Sequence, residues 1–191
     1  GSEMCIRDRV NYYRLAENRI FYIDFEIDES VLEIQKAILN INLEDKNIEV
    51  KDRKPIVIVL DTPGGLLSET FCLVHTIMMS KTPVITVNAC DCYSGGALLL
   101  LSGHKRYAFP DSWAMIHSGS SGSGGTFEQN EEYQKMYKRK VESMRKYILE
   151  QTGMDTKVFN RNKSKDWYLS DDEQVTYGIV DKIVTSLDEI I

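Results

Sequence analysis

Three segments carry side chains whose types and settings suit acyl-transfer chemistry. The first runs from residue 84 to residue 103, VITVNACDCYSGGALLLLSG, with Ser94 near its middle. It reads as a buried strand, a turn of small residues and an apolar helix that begins at the serine. A hydroxyl at such a turn points outward at the positive end of a helix, where the next backbone N–H groups can meet an oxyanion. That is the physical requirement of a nucleophile elbow, although Ser-Gly-Gly-Ala differs from the hydrolase pattern Gly-x-Ser-x-Gly. Ser94 equally reads as an N-cap on a buried helix. The segment by itself leaves both readings open.

The second segment is PIVIVLDTPGGLLSE, residues 55–69. A short apolar run ends in Thr62-Pro63-Gly64-Gly65, and a helix follows with Leu67, Phe71, Val74 and Met78 at helical spacing. Paired glycines after a strand let the backbone approach a substrate or take positive φ, so an exposed N–H there can serve as a second oxyanion donor. Pro-Gly also marks an ordinary strand–turn–helix connection. The third segment is WAMIHSGSSGSGG, residues 113–125, where a strand-like run ends at His117 and gives way to glycine and serine. Of the three histidines, His75 lies within a helical run and His104 in a Gly-His-Lys-Arg turn. His117 is the candidate base, because it ends a strand beside a mobile loop, where catalytic groups concentrate.

The elements that must position these groups alternate between strand and helix. Residues 20–27 read as a strand, 29–42 as a helix with Val31, Ile34, Ile38 and Ile41 on one face, and 43–54 as a charged connector. Strands at 55–61 and 84–89 flank a helix at 67–80. This β-α-β alternation predicts an α/β fold with a largely parallel sheet. Residues 127–152 form the longest helix, with Tyr133, Tyr137, Val141, Met144 and Ile148 in one apolar stripe. Ser170-Asp171-Asp172-Glu173 is a capping box, and Gly178 suits the end of a short helix.

Composition sets the frame. With 191 residues, one domain with a sizeable core is expected. Gly1-Ser2 reads as a tag remnant and the residues up to 9 as an artefactual lead-in, so residues 1–9 are set apart and a single domain is expected over 10–191. A net charge of −6 argues against a nucleic-acid partner. No apolar run reaches membrane-spanning length. The four cysteines, Cys5, Cys72, Cys90 and Cys92, form no disulfide framework, and Cys90-x-Cys92 is too close for a zinc knuckle without partners elsewhere. The expectation is a cytoplasmic protein with reduced thiols, no metal, no cofactor and no membrane association.

The chain resembles the proteolytic subunit of the Clp protease, the ClpP family of self-compartmentalising serine peptidases. Tyr12-Tyr13-Arg14-Leu15 and Glu17-Asn18-Arg19-Ile20-Phe21 resemble the family's entry into its first strand. Thr62-Pro63-Gly64-Gly65 resembles its Ser-Pro-Gly-Gly, and Ser94-Gly95-Gly96-Ala97 its Ser-Met-Gly-Ala. Pro110-Asp111-Ser112 and Met115-Ile116-His117 resemble its Pro-Asn-Ser and Met-Ile-His. Trp167-Tyr168-Leu169-Ser170 and Tyr177-Gly178-Ile179-Val180-Asp181 resemble its closing signature. The resemblance covers roughly residues 12–185, and it rests on the order and spacing of these motifs together.

The resemblance implies a ClpP/crotonase-like spiral of β-α-β units with a protruding strand–helix handle at about 118–152. It makes Ser94 the nucleophile, His117 the general base, and the N–H groups of Gly65 and Gly95 the oxyanion hole. Counting back without gaps from Tyr168-Leu169-Ser170, the third triad position falls on Asn162 where the family has an aspartate, and Asp166 is the alternative acid. An asparagine can orient an imidazole but stabilises its protonated form poorly. In a chymotrypsin-type triad the Asp-to-Asn change costs about 10⁴-fold in kcat. A Ser-His-Asn site predicts a slow or conditional enzyme.

The resemblance further implies protein or peptide substrates, which pair by strand addition with the segment after His117. It implies homo-oligomeric heptamer rings, a tetradecamer of two rings, and a Clp-family ATPase partner. Two departures bear on these. Asn160 replaces the acid beside Arg161 that couples ring assembly to the triad, and Val57 and Val59 replace tyrosines in the ATPase-docking cleft. Glycines at 119, 122, 124 and 125 predict broad sequence preference. Three readings stand: an active ring-forming serine endopeptidase, a silent or conditionally active ring subunit, and a crotonase-like acyl-CoA enzyme with the same oxyanion N–H groups and no serine nucleophile.

Overall fold

The computed structural model describes residues 3–191, with side chains from Asp8 onward. Gly1 and Ser2, read above as a tag remnant, lie outside the described residues. Helix α1 spans Glu3–Glu17 and leads into strand β1, Ile20–Ile23. Helix α2 (Val31–Glu44), strand β2 (Ile56–Thr62), helix α3 (Leu67–Met79), strand β3 (Val84–Tyr93) and helix α4 (Gly95–Ser102) follow. Strands β4 (Lys105–Ala108) and β5 (Trp113–Ile116) precede the long helix α5, Phe127–Thr152. The chain closes with α6 (Thr156–Asn162), β6 (Trp167–Leu169), α7 (Asp171–Thr176) and β7 (Lys182–Ile183).

The sheet runs β1-β2-β3-β4-β7, with every pair parallel. This is the α/β class with a parallel-dominated sheet that the strand–helix alternation predicts. The ten-residue strand β3 serves two neighbours in turn. Ile85–Asn88 pair with β4, and Asp91–Tyr93 pair with β5. A register shift in β2 between Leu60 and Thr62 accompanies the change. Strand β6 adds to the far side of β5, and it alone runs antiparallel.

Alternation along β2 separates two cores. Ile56, Ile58 and Leu60 face a large cluster built with α2, α3 and α4, while Val57 and Val59 face a small one with Val87, Val184 and Ile190. Helix α4 is buried all round, as its Ala-Leu-Leu-Leu-Leu sequence requires. A buried ion pair ties α2 to β1. Both guanidinium nitrogens of Arg19 donate to Asp45 at 2.7 Å, and the Thr82 hydroxyl donates to the same carboxylate at 2.8 Å. The Arg19 guanidinium holds the Asp45 carboxyl below the usual carboxylate range, against the opposing effect of burial.

Helix α5 begins with a complete capping box, Thr126 with Gln129, and ends at Gly153 in the left-handed region, φ 63°. Its stripe is buried only in the second half, at Met144 and Ile148, where Tyr147 is buried beside them. The expected strand of the handle is absent: Ser118–Gly125 has no regular secondary structure. Gly119 and Gly125 take φ of 78° and 122°, which an extended strand does not contain. The connector at 43–54 is partly helical, with α2 extending to Glu44 and a 3₁₀ turn at Val50–Asp52.

Candidate active site

Ser94 stands between the end of β3 and the start of α4, and its backbone is in an unusual state, φ 56° and ψ −118°. For a residue with a Cβ such a conformation costs about 1–3 kcal/mol, so the surroundings must impose it. They do. The Ser94 N–H donates to the Met115 carbonyl of β5 at 2.8 Å, and the Ser94 carbonyl accepts the first helical bond from Leu98. The hydroxyl makes no capping bond. It lies 2.7 Å from Nε2 of His117 instead. The N-cap reading of Ser94 therefore describes its backbone position, while its side chain meets the imidazole of His117.

Glycines make room for this turn. A Cβ on Gly64 would sit 2.7 Å from the Tyr93 carbonyl oxygen and 2.9 Å from the Gly95 nitrogen, so the double-glycine loop lies directly on the serine turn. Thr62 holds that loop from below: its hydroxyl donates to the Phe25 carbonyl at 2.6 Å and accepts from the Gly64 N–H. Gly65 forms a parallel bridge with Ile27, in which Ile27 donates to the Gly64 carbonyl and accepts from Leu66 N–H. In a parallel bridge of this polarity the Gly65 N–H points away from Ile27. Gly65 lines the groove that Ser94 and Gly95 also line. The first N–H groups of α4 open the same way, because a helix leaves its first turn of donors unpaired. Gly65 and Gly95 thus lie together beside Ser94 in one groove.

His117 follows directly on β5. Its Nδ1 lies 3.2 Å from Oδ1 of Asp166. Asn162, the expected third position, makes its side-chain hydrogen bond elsewhere. Asn162 ends α6 and donates its side-chain amide to the Val158 carbonyl at 2.8 Å. The reason is strand pairing. Ala114 pairs with Leu169, Met115 with Tyr168 and Ile116 with Trp167. One further step in that antiparallel register sets His117 opposite Asp166. Counting residues back along the chain misses this, whereas the strand Trp167-Tyr168-Leu169, set directly after an aspartate, signals it.

The imidazole is about one quarter exposed and Asp166 is 60% exposed. The acid is therefore reached from solvent, unlike a buried triad aspartate. Tyr93 and Tyr168 meet edge to face at 5.6 Å, which braces the end of β3 against β6. Tyr93 also donates to Asp91 at 3.0 Å, and burial with that carboxylate pushes its hydroxyl up to about 12. Neither tyrosine is singled out by the sequence for this role, which follows from their places on either side of Met115 in β5.

A groove of about 480 Å³ passes over Ser94 and His117. Its floor is apolar, with Leu98, Ile116, Met136, Met144 and Ile148, and one wall is the glycine–serine segment from Ser118 to Gly122. The other histidines stay away from this site. His104 accepts the Val84 N–H on its Nδ1 at 2.9 Å, and His75 stacks near Phe71 on α3. Arg161 is exposed on α6. Cys72 and Cys90 are exposed free thiols, and Cys92 is buried. Among the described residues no helix is long and apolar enough to cross a membrane. The family model described as Clp protease matches residues 6–187.

Proposed function

The chain belongs to the Clp protease family, and on that premise we propose that it is a serine endopeptidase whose triad is Ser94, His117 and Asp166. The observation that carries the reading is the row of contacts from Ser94 Oγ to His117 Nε2 at 2.7 Å and from His117 Nδ1 to Asp166 at 3.2 Å. Ser94 Oγ attacks the scissile carbonyl carbon while His117 Nε2 takes its proton. The oxyanion forms between the N–H groups of Gly65 and Gly95. His117 then protonates the leaving amine, and a water repeats the sequence on the acyl-enzyme. Asp166 holds the imidazole with Nδ1 protonated and stabilises the imidazolium. No metal or cofactor enters any step.

The groove suits an extended peptide, since its glycine–serine wall presents backbone groups and few side chains. Broad sequence preference follows. The silent-subunit reading rests on Asn162 and Asn160; Asp166 beside the imidazole favours the active reading over it. Heptameric rings, a two-ring tetradecamer and an ATPase partner belong to the same proposal. An ATPase loop would dock on the apolar face of Val57 and Ile85, beside a cavity of about 670 Å³ that Ile190 also lines. The free thiols fit a reducing, cytoplasmic compartment.

The test is intact-protein mass after incubation with a fluorophosphonate. One adduct on the wild type and none on Ser94→Ala is expected. An unlabelled wild type in assembled rings would return weight to the silent subunit. Acyl-CoA turnover that survives Ser94→Ala would support the crotonase-like reading instead.

A further inference from the structure

The residue after the catalytic base makes more cross-chain contacts than its place in a glycine–serine segment suggests. The Ser118 hydroxyl donates to the Lys163 carbonyl at 3.0 Å and accepts from Nη2 of Arg145 at 3.0 Å. Its own carbonyl accepts from the Tyr137 hydroxyl at 3.4 Å. Ser118 therefore joins three elements: the strand that carries His117, the long helix α5, and the end of α6. Lys163 is the residue that closes α6, and its carbonyl is one of those a helix end leaves without an internal partner. Three residues later comes Asp166.

Asp166 has little else to fix it. Its carboxylate is 60% exposed, and among the described residues its hydrogen bond is the one to His117. One end of the Lys163–Asp166 turn is set by β6. The other end is set by the last helical bond of α6, from Lys163 N–H to the Phe159 carbonyl, by the Lys165 N–H to Asn162 carbonyl bond and by the Ser118 hydroxyl. Arg145 is a partly buried guanidinium whose hydrogen bond goes to the neutral Ser118 hydroxyl, and its Nε is buried without a partner. A cation held beside the carbonyl end of a helix is favourably placed, so this arrangement draws the hydroxyl and the α6 terminus together.

We propose that Ser118, anchored by Arg145, is a positioning residue that clamps the acid-bearing turn against the histidine strand and so keeps Asp166 on His117 Nδ1. This deepens the serine-peptidase reading and rests on it. Ser118 touches no reacting atom; it acts through Asp166. Loss of the hydroxyl frees the Lys163 carbonyl, the turn relaxes toward solvent, and the imidazole loses its orientation while the groove floor is untouched.

The experiment compares Ser118→Ala, Ser118→Thr, Arg145→Met and Asp166→Asn, singly and paired, on peptide hydrolysis, with a crystal structure of Ser118→Ala. Ser118→Ala is expected to lower kcat by up to the roughly 5- to 10³-fold that Asp166→Asn costs, because it acts only through that contact. Ser118→Thr keeps the hydroxyl and restores most of the rate, and Arg145→Met loses rate in the same direction. In the Asp166→Asn background Ser118→Ala costs nothing further, because both act through one contact. The crystal structure shows Asp166 withdrawn from His117. Full additivity of the two losses, or a Ser118→Ala structure with the turn unmoved, overturns the proposal. A wild type that neither labels at Ser94 nor cleaves peptides overturns the peptidase reading alone, and the crystal structure still decides the clamp.

Discussion

Replacing Asp166 with asparagine keeps the shape of the side chain and removes its charge. Its expected cost follows from two features of the site. The contact to His117 Nδ1 is 3.2 Å, and the carboxylate is 60% exposed. Opposite charges about 4 Å apart attract by about 1 kcal/mol in water and about 4 kcal/mol at an effective dielectric near 20. An acid so open to solvent falls between these limits. The imidazolium that forms during attack therefore loses about 1–4 kcal/mol of stabilisation, a rate factor of roughly 5 to 10³. This is smaller than the loss of about 10⁴ for a buried triad acid. The assay is kcat/KM on a fluorogenic peptide, with Asn162→Ala and Asn162→Asp as controls that leave the rate within about twofold. A dead Asn162→Ala beside an unimpaired Asp166→Asn would refute the register argument that assigns the acid.

Three further outcomes are expected. Gly65→Ala should lose fluorophosphonate labelling and stability together, because its Cβ would fall 2.2 Å from the Ile27 carbonyl oxygen; labelling at the wild-type rate would remove Gly65 from the oxyanion site. Arg19→Met should lower the unfolding free energy by about 3–5 kcal/mol, since it strands the buried Asp45 carboxylate. Asp45 titrates low when paired, so its contribution is full above about pH 4 and is lost as pH falls below that. Denaturant titrations should show the gap between wild type and Arg19→Met narrowing on acidification. Under native alkylation Cys72 and Cys90 should react and Cys92 should not, because burial pushes the Cys92 thiol well up. Cys90 should lag behind Cys72, as the Asp91 carboxylate disfavours its thiolate, and peptide mapping by mass spectrometry checks the order.

Much of this architecture could be read from local pattern. The helix at 127–152 appears with the bounds its periodicity gives, and the capping box at Ser170 is complete. Ser94 and His117, assigned to separate segments by chemistry alone, meet at 2.7 Å. Chain counting points to Asn162 ahead of Asp166, because it carries no knowledge of which strands pair. Its partner is set by a contact 49 residues away in sequence. The strand expected in the handle failed for the opposite reason. Its glycines permit an extended chain but do not require one, and two of them turn away from it. Ser118 was legible only as one serine among four in that segment, since hydrogen bonds to α5 and α6 depend on tertiary packing.

The antiparallel pairing of β5 with β6 has a consequence for insertions and deletions. Asp166 is brought to His117 by the strand that follows it, one step of register beyond Ile116 and Trp167. A single residue added between Asp166 and Trp167 would swing the carboxylate to the opposite face of the sheet with hardly any change in the outer shape. The short step from acid to strand is therefore the stretch of this chain least able to change length.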